Sequence, residues 1–247
     1  MIRGFAWVAM LAVLGAAPVV RAQSSVSEGF YKEGVKLGEE SQKSGDDAKL
    51  AEALSRFQKA VVLEPKVFKY QKNIAMAYQQ LNRLPEAQAA YEAAIALNPR
   101  DRQVHGGLGE VLRRLRFYDR AEKEFKLALS IDKKDFSSQI GLATIAVDKE
   151  DFDGALKLYQ MALKSNPKSS EAALKSAKIL LRNKEYAGAV DNYRKALAIK
   201  PDLPEAQFGL AMALKEKGDK EAARVELKKA CQAGVKQACS HLRKLDE

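Results

Sequence analysis

The sequence predicts an all-α protein, a stack of helical hairpins, and three observations predict it. Alanine, leucine, lysine and glutamate dominate a chain of 247 residues that holds only 7 prolines and 15 glycines, a helical vocabulary with few signals for short strands. One phrase returns along the chain: "RFQKAVVLEP" at 56–65, "AYEAAIALNP" at 90–99, "LYQMALKSNP" at 158–167 and "NYRKALAIKP" at 192–201. Columns of like residues recur every 34 positions: Ala53, Ala87, Ala121, Ala155, Ala189, Ala223; Ala60, Ala94, Ala128, Ala162, Ala196, Ala230; and Phe57, Tyr91, Phe125, Tyr159, Tyr193, Leu227. A fixed period of this length is the mark of an array.

The first 22 residues stand apart. A basic start at Arg3 and an apolar run from Phe5 to Ala17 precede Pro18, Val20-Arg21-Ala22 and polar "QSS". The run is shorter than the roughly 20 residues a spanning helix needs, and the small-residue end fits a secretory signal cut between Ala22 and Gln23. Cleavage leaves no membrane span and lowers the net charge from +10 to +8, because Arg3 and Arg21 depart. That charge is compatible with acidic partners and is not diagnostic of nucleic acid. The expected address is an exported compartment, bacterial periplasm first and secretion second.

After a short lead-in at 23–26, residues 27–67 form an irregular first unit, about seven residues longer than the period; two added helical turns would absorb them. Units 68–101, 102–135, 136–169 and 170–203 follow without a gap. The unit at 204–237 puts Leu227 in the aromatic column and Val235 in the proline column. In each unit the paired alanines lie seven apart, two helical turns, so they share a face and admit a neighbouring helix closely. The large residue between them fills the space beside that contact. Proline, or Lys133 in the middle unit, marks the end of the second helix. The first helices carry "IAMAY", "LGEVL", "LATIA" and "LAMAL", an apolar face at helical spacing. Residues 238–247 place Ala238, Leu242 and Leu245 on one face, a capping helix for the exposed end of the stack.

These columns closely resemble the tetratricopeptide repeat. The resemblance covers essentially all of the chain beyond residue 22. It implies an α-solenoid of about six repeats wound as a right-handed superhelix, with first helices lining a concave groove that holds an extended or helical partner segment. Carried onto this sequence by register, that groove takes Tyr31, Lys72, Met76 and Gln79, then Glu110 and Arg113. It continues through Ile140, Thr144 and Val147, then Leu174, Lys178 and Leu181, and ends with Phe208, Met212 and Lys215. The expected partner is a protein or peptide, one that can carry acidic groups. Arg113, with Arg114 near the rim, is the candidate anchor for such a group, and no nucleic acid is expected. The alternative is a basic surface binding a polyanion, nucleic acid or acidic polysaccharide. The carboxylate clamp of the chaperone-binding branch is rejected: Lys72 and Asn73 match part of it, but Gly106, Gly107 and Ile140 fall where its polar residues belong.

Cys231 and Cys239 are the only cysteines. In one continuous helix they would be about 12 Å apart, beyond disulfide reach; a reversal at Gly234 would bring them together. From the residues alone, a bridge and two small buried thiols both stand. "KKACQAGVKQACSHL" resembles the cysteine-bearing helix pairs of exported Sel1-like repeats, which together with an oxidising compartment implies a disulfide.

No enzyme is expected, and no cofactor or metal. His105 holds a packing position and His241 is expected to face solvent. Phosphate loops, metal spacings and nucleophile elbows do not occur. "DKEDFDG" at 148–154 lacks the ligand spacing of a calcium loop and coincides with a repeat turn.

Overall fold

The computed structural model describes the backbone of residues 6–246 and the side chains of residues 22–245. Every regular element among the described residues is a helix. The chain forms two compact units, Met1–Ile131 and Asp132–Glu247. The first contains α1 (Ala6–Ser44), α2 (Asp47–Leu63), α3 (Phe68–Gln80), α4 (Leu84–Leu97), α5 (Arg102–Arg114) and α6 (Tyr118–Ile131). The second contains α7 (Phe136–Asp148), α8 (Phe152–Ser165), α9 (Ser170–Arg182), α10 (Tyr186–Ile199), α11 (Pro204–Lys217), α12 (Lys220–Gln232) and α13 (Lys236–Asp246). Within each unit, successive helices pack in chain order, and first helices of adjacent hairpins also meet, α3 with α5 and α9 with α11.

The periodic columns are the core. The alanines of both columns have no exposed surface, and the large residue between them is at most 4% exposed, from Phe57 to Leu227. Tyr91 and Tyr193 reach further. Their rings lie directly on the next hairpin's first helix, where a methyl group on Gly107 would sit 2.3 Å from the Tyr91 ring and one on Gly209 equally close to Tyr193. Burial pushes both phenols up, Tyr193 to about 12 with a further push from Glu205.

Each of the five hairpin turns after the first contains one residue in the left-handed region, again 34 apart: Asn82, Arg116, Glu150, Lys184 and Gly218, with φ between 58° and 97°. The residue after it closes the helix end by donating its N–H five residues back, as Phe117 does to Leu112 O and Glu185 to Leu180 O. Asp101, Asp135 and Ser169 cap the first helices that follow them. A third polar column, Gln71, His105 and Gln139, bonds a side-chain nitrogen to the carbonyl of Pro65, Pro99 and Lys133 at 2.9–3.0 Å, tying each first helix to the link before it. His105 is buried, and its Nδ1 also meets Glu124 at 2.7 Å.

Three expectations need amendment. Residues 23–26 are not a lead-in separate from the first unit but continue into it as part of α1, where Gln23 Nε2 donates to Leu63 O at 3.1 Å and buried Ser27 bonds Ser24 O and the Glu64 carboxylate. The terminal helix begins at Lys236, two residues before 238, since Ala238 N–H already finds Val235 O. His241 is half-buried against the Phe208 ring rather than solvent-facing, with centroids 5.7 Å apart. The extra length of the first unit is accommodated in its helices: α2 has 17 residues where α4 has 14. The cut expected between Ala22 and Gln23 falls inside α1, and residues 1–21 of the expected signal segment lie outside the residues whose side chains are described.

Candidate interaction surface

The candidate residues sit on first helices, at positions that are half-buried, with Met76 more open at 41%. Helical spacing makes this inevitable: the small residues of each first helix turn inward, and the positions one turn along the adjoining face are left part-covered.

In the first unit this surface is polar and internally neutralised. The Tyr31 ring packs on Tyr70 at 5.0 Å, with Lys69 Nζ 4.8 Å from its centre, and its hydroxyl accepts from Asn73 at 3.2 Å. Lys72 spans from α3 to Asp101 at 3.1 Å and to the Gln103 carboxamide. Burial of Asp101 opposes its ionisation, but Lys72 and two cap N–H groups outweigh that and hold its carboxyl below the usual range. Arg113 forms a two-point fork with Glu110 at 2.8 Å. Arg114 reaches back to Asn82 Oδ1 at 2.5 Å and Gln79 O at 3.4 Å, while Tyr91 donates to Gln79 Oε1 at 2.6 Å. Arg113, expected to anchor an acidic ligand, already has a carboxylate in its fork.

In the second unit the surface is more apolar. Ile140 and Val147 on α7, and Leu174 on α9, lean on the core around Tyr159. Leu181 leans on the core around Tyr193. Thr144 turns its hydroxyl to Ile140 O, 2.9 Å away. Lys178 pairs with Glu205 across to α11. Beyond Glu205, a cleft of about 790 Å³ opens between α11 and α13, lined by Glu205, Phe208, Met212, Val235, Gln237 and His241. Lys215 lies one turn past Met212 on α11, part-exposed.

The wall on α13 is held in place covalently. Gly234 takes φ 90°, the chain reverses, and Cys231 and Cys239 are joined with Cα atoms 4.8 Å apart. Ala238, with no exposed surface, packs with Ala211, Leu227 and Ala230, and Leu242 and Leu245 lean on the same cluster. Gln237, His241 and Val235 were not among the sequence candidates. The only signal was the four-residue spacing of Gln237 and His241, which puts them on one face. The acidic stretch at 148–154 serves its turn, as Asp151 accepts from Gly154 N–H at 2.9 Å.

Comparison with known proteins places these features in context. A tetratricopeptide repeat family model matches residues 72–136 and 140–204, and a second tetratricopeptide repeat model matches 180–238. No curated protein matches the chain. Among solved structures, YrrB, described as a TPR protein with an unusual peptide-binding site, is similar at 23% identity and TM-score 0.63, over 76% of this chain and 97% of its own. PilF of Pseudomonas aeruginosa is similar at 15% identity and TM-score 0.76, over 90% and 99%. PilW, described as a type IV pilus biogenesis factor, is similar at 16% and 0.71 over the same shares. At these identities the likeness is one of fold, an all-α helical-repeat solenoid, and such a fold supports protein–protein interaction.

Proposed function

The chain belongs to the tetratricopeptide repeat family, and on that premise we propose that it is a non-catalytic scaffold holding an extended or helical segment of a partner protein against the first helices of its repeats. One observation carries the reading: the half-buried apolar run of Ile140, Val147, Leu174, Leu181, Phe208 and Met212 on α7, α9 and α11. Apolar surface of this kind gains by being covered. The peptide-binding site named for YrrB, on the same fold, supports it. The polyanion alternative is weakened, because Lys72 and Arg113 each face an internal carboxylate.

Export belongs to the same proposal. The mature chain starts at Gln23 and works in the periplasm or outside the cell. N-terminal sequencing of the native protein tests this, and a chain still beginning at Met1 refutes it.

Cross-linked capture from the native compartment, followed by mass spectrometry, tests the scaffold. The captured partner should persist at moderate salt and be lost from Leu174→Ala with the fold intact. Capture that falls steeply with salt and ignores Leu174→Ala would instead mark a polyanion surface.

A further inference from the structure

The cleft between α11 and α13 has a chemistry of its own. Of its six lining residues one is ionic, and it is negative: Glu205, in a chain of net charge +10. The others offer two aromatic rings, Phe208 and His241, tilted at 56° to each other, the Met212 thioether, the Val235 side chain and the Gln237 carboxamide. A carboxylate beside an aromatic pair and a thioether fits a planar cation on a long apolar stem. Guanidinium matches the carboxylate with two parallel N–H groups and presents flat faces to the rings, whereas an ammonium offers only a point charge. The resting partner of Glu205 is Lys178, and their side chains are 63% and 39% exposed. Exposed pairs of that kind contribute little, so an arriving cation can take the carboxylate over at small cost. The volume of about 790 Å³ is within the range of small-molecule pockets and leaves room for one side chain with part of the backbone that carries it.

We infer that this cleft is a receptor for one arginine side chain on the partner segment, with Glu205 as its counter-ion and the Phe208 ring, backed by the tilted His241 ring, as its stacking face. The inference rests on the scaffold reading above and adds to it a residue of the partner. It also gives α13 a second role. The cap supplies Gln237 and His241, and the Cys231–Cys239 bridge at its base fixes that wall relative to α12.

The probe is N-acetyl-argininamide, titrated into the full mature chain carrying ¹³C-methyl methionine. The Met212 methyl should shift and saturate while Met76 and Met161, on α3 and α8, stay still. Glu205→Gln should weaken the probe at least tenfold, and N-acetyl-lysinamide and N-acetyl-leucinamide should each bind at least fivefold less tightly. Met212→Lys, which places a like charge in the cleft, should abolish binding even if Glu205→Gln proves poorly folded. Equal binding of the leucine amide, indifference to Glu205→Gln in a folded chain, or no saturation at Met212 overturns the inference. Should that happen while Leu174-dependent capture of a partner persists, the arginine receptor fails alone and the scaffold stands.

Discussion

Replacing Arg116, Glu150 and Lys184 by glycine should make the protein more stable, although each change deletes a side chain. All three have φ between 62° and 64° and sit at the left-handed residue of a hairpin turn. All three are exposed, and their side chains hold no hydrogen bond or ion pair among the described residues. An L-residue held there carries about 1–2 kcal/mol of crowding between Cβ and the following carbonyl. Glycine removes that crowding but returns roughly 0.5–1 kcal/mol through its greater freedom in the unfolded chain. The net gain is about 0.5–1 kcal/mol per site, and sites in separate turns should add to about 1.5–3 kcal/mol in the triple variant. For a chain of this size that corresponds to a rise in Tm of about 3–12 °C. Differential scanning calorimetry reads it, with Gly218→Ala as the converse, since Gly218 already occupies the fifth turn at φ 97°. A triple variant melting at or below the parent, together with a harmless Gly218→Ala, would refute the assignment of strain to these turns.

Three further expectations concern packing, the cap and pH. His105→Leu should cost about 1–3 kcal/mol in urea unfolding, because Glu124 and Pro99 O lose their shared partner. His105→Gln should cost less, since Gln71 and Gln139 make the equivalent bond from the same register. Leu242→Glu with Leu245→Glu should lower the melting temperature and promote association on gel filtration, and reducing the Cys231–Cys239 bridge should cost about 2–3 kcal/mol for so short a loop. The Asp101 carboxyl is depressed in the folded state, so its contribution is complete above its unfolded pKa of about 3.9 and is lost as pH falls through the lower folded value. The stability difference between the parent and Lys72→Gln should therefore close as unfolding is followed downward from about pH 4.

What could be read from the sequence was whatever recurs as a residue type. Ala53 and Ala60, Phe57 between them, and their copies at 34-residue steps announce a buried face before any coordinate is known, because packing admits few substitutes. The turn column at Asn82, Arg116, Glu150 and Lys184 carries no shared chemistry, only a shared backbone angle, so it stayed hidden. The same holds for Lys72 and Asp101: 29 residues apart in sequence, they meet only once α3 and α5 lie side by side. His241 was misplaced because its surroundings depend on how far the chain turns back at Gly234, a tertiary fact. The apolar half of the candidate surface was legible from register. Its electrostatics were legible only at Glu110 and Arg113, three apart on one helix; Lys72–Asp101 and Lys178–Glu205 each join residues of different helices that periodicity treats as independent.

The tyrosine rings resting on bare backbone at Gly107 and Gly209 bear on how such a chain can drift over generations. Neither member of a couple is at liberty by itself: a side chain on the glycine has nowhere to go while the ring remains, and a smaller residue in place of the ring leaves a hollow while the glycine remains. A descendant that lost Tyr91 to leucine would tolerate alanine at 107, and one that kept the ring would not. Changes at 91 and 107, and at 193 and 209, should therefore be inherited as pairs, and a laboratory lineage started from Tyr91→Leu should accept Gly107→Ala where the parent rejects it.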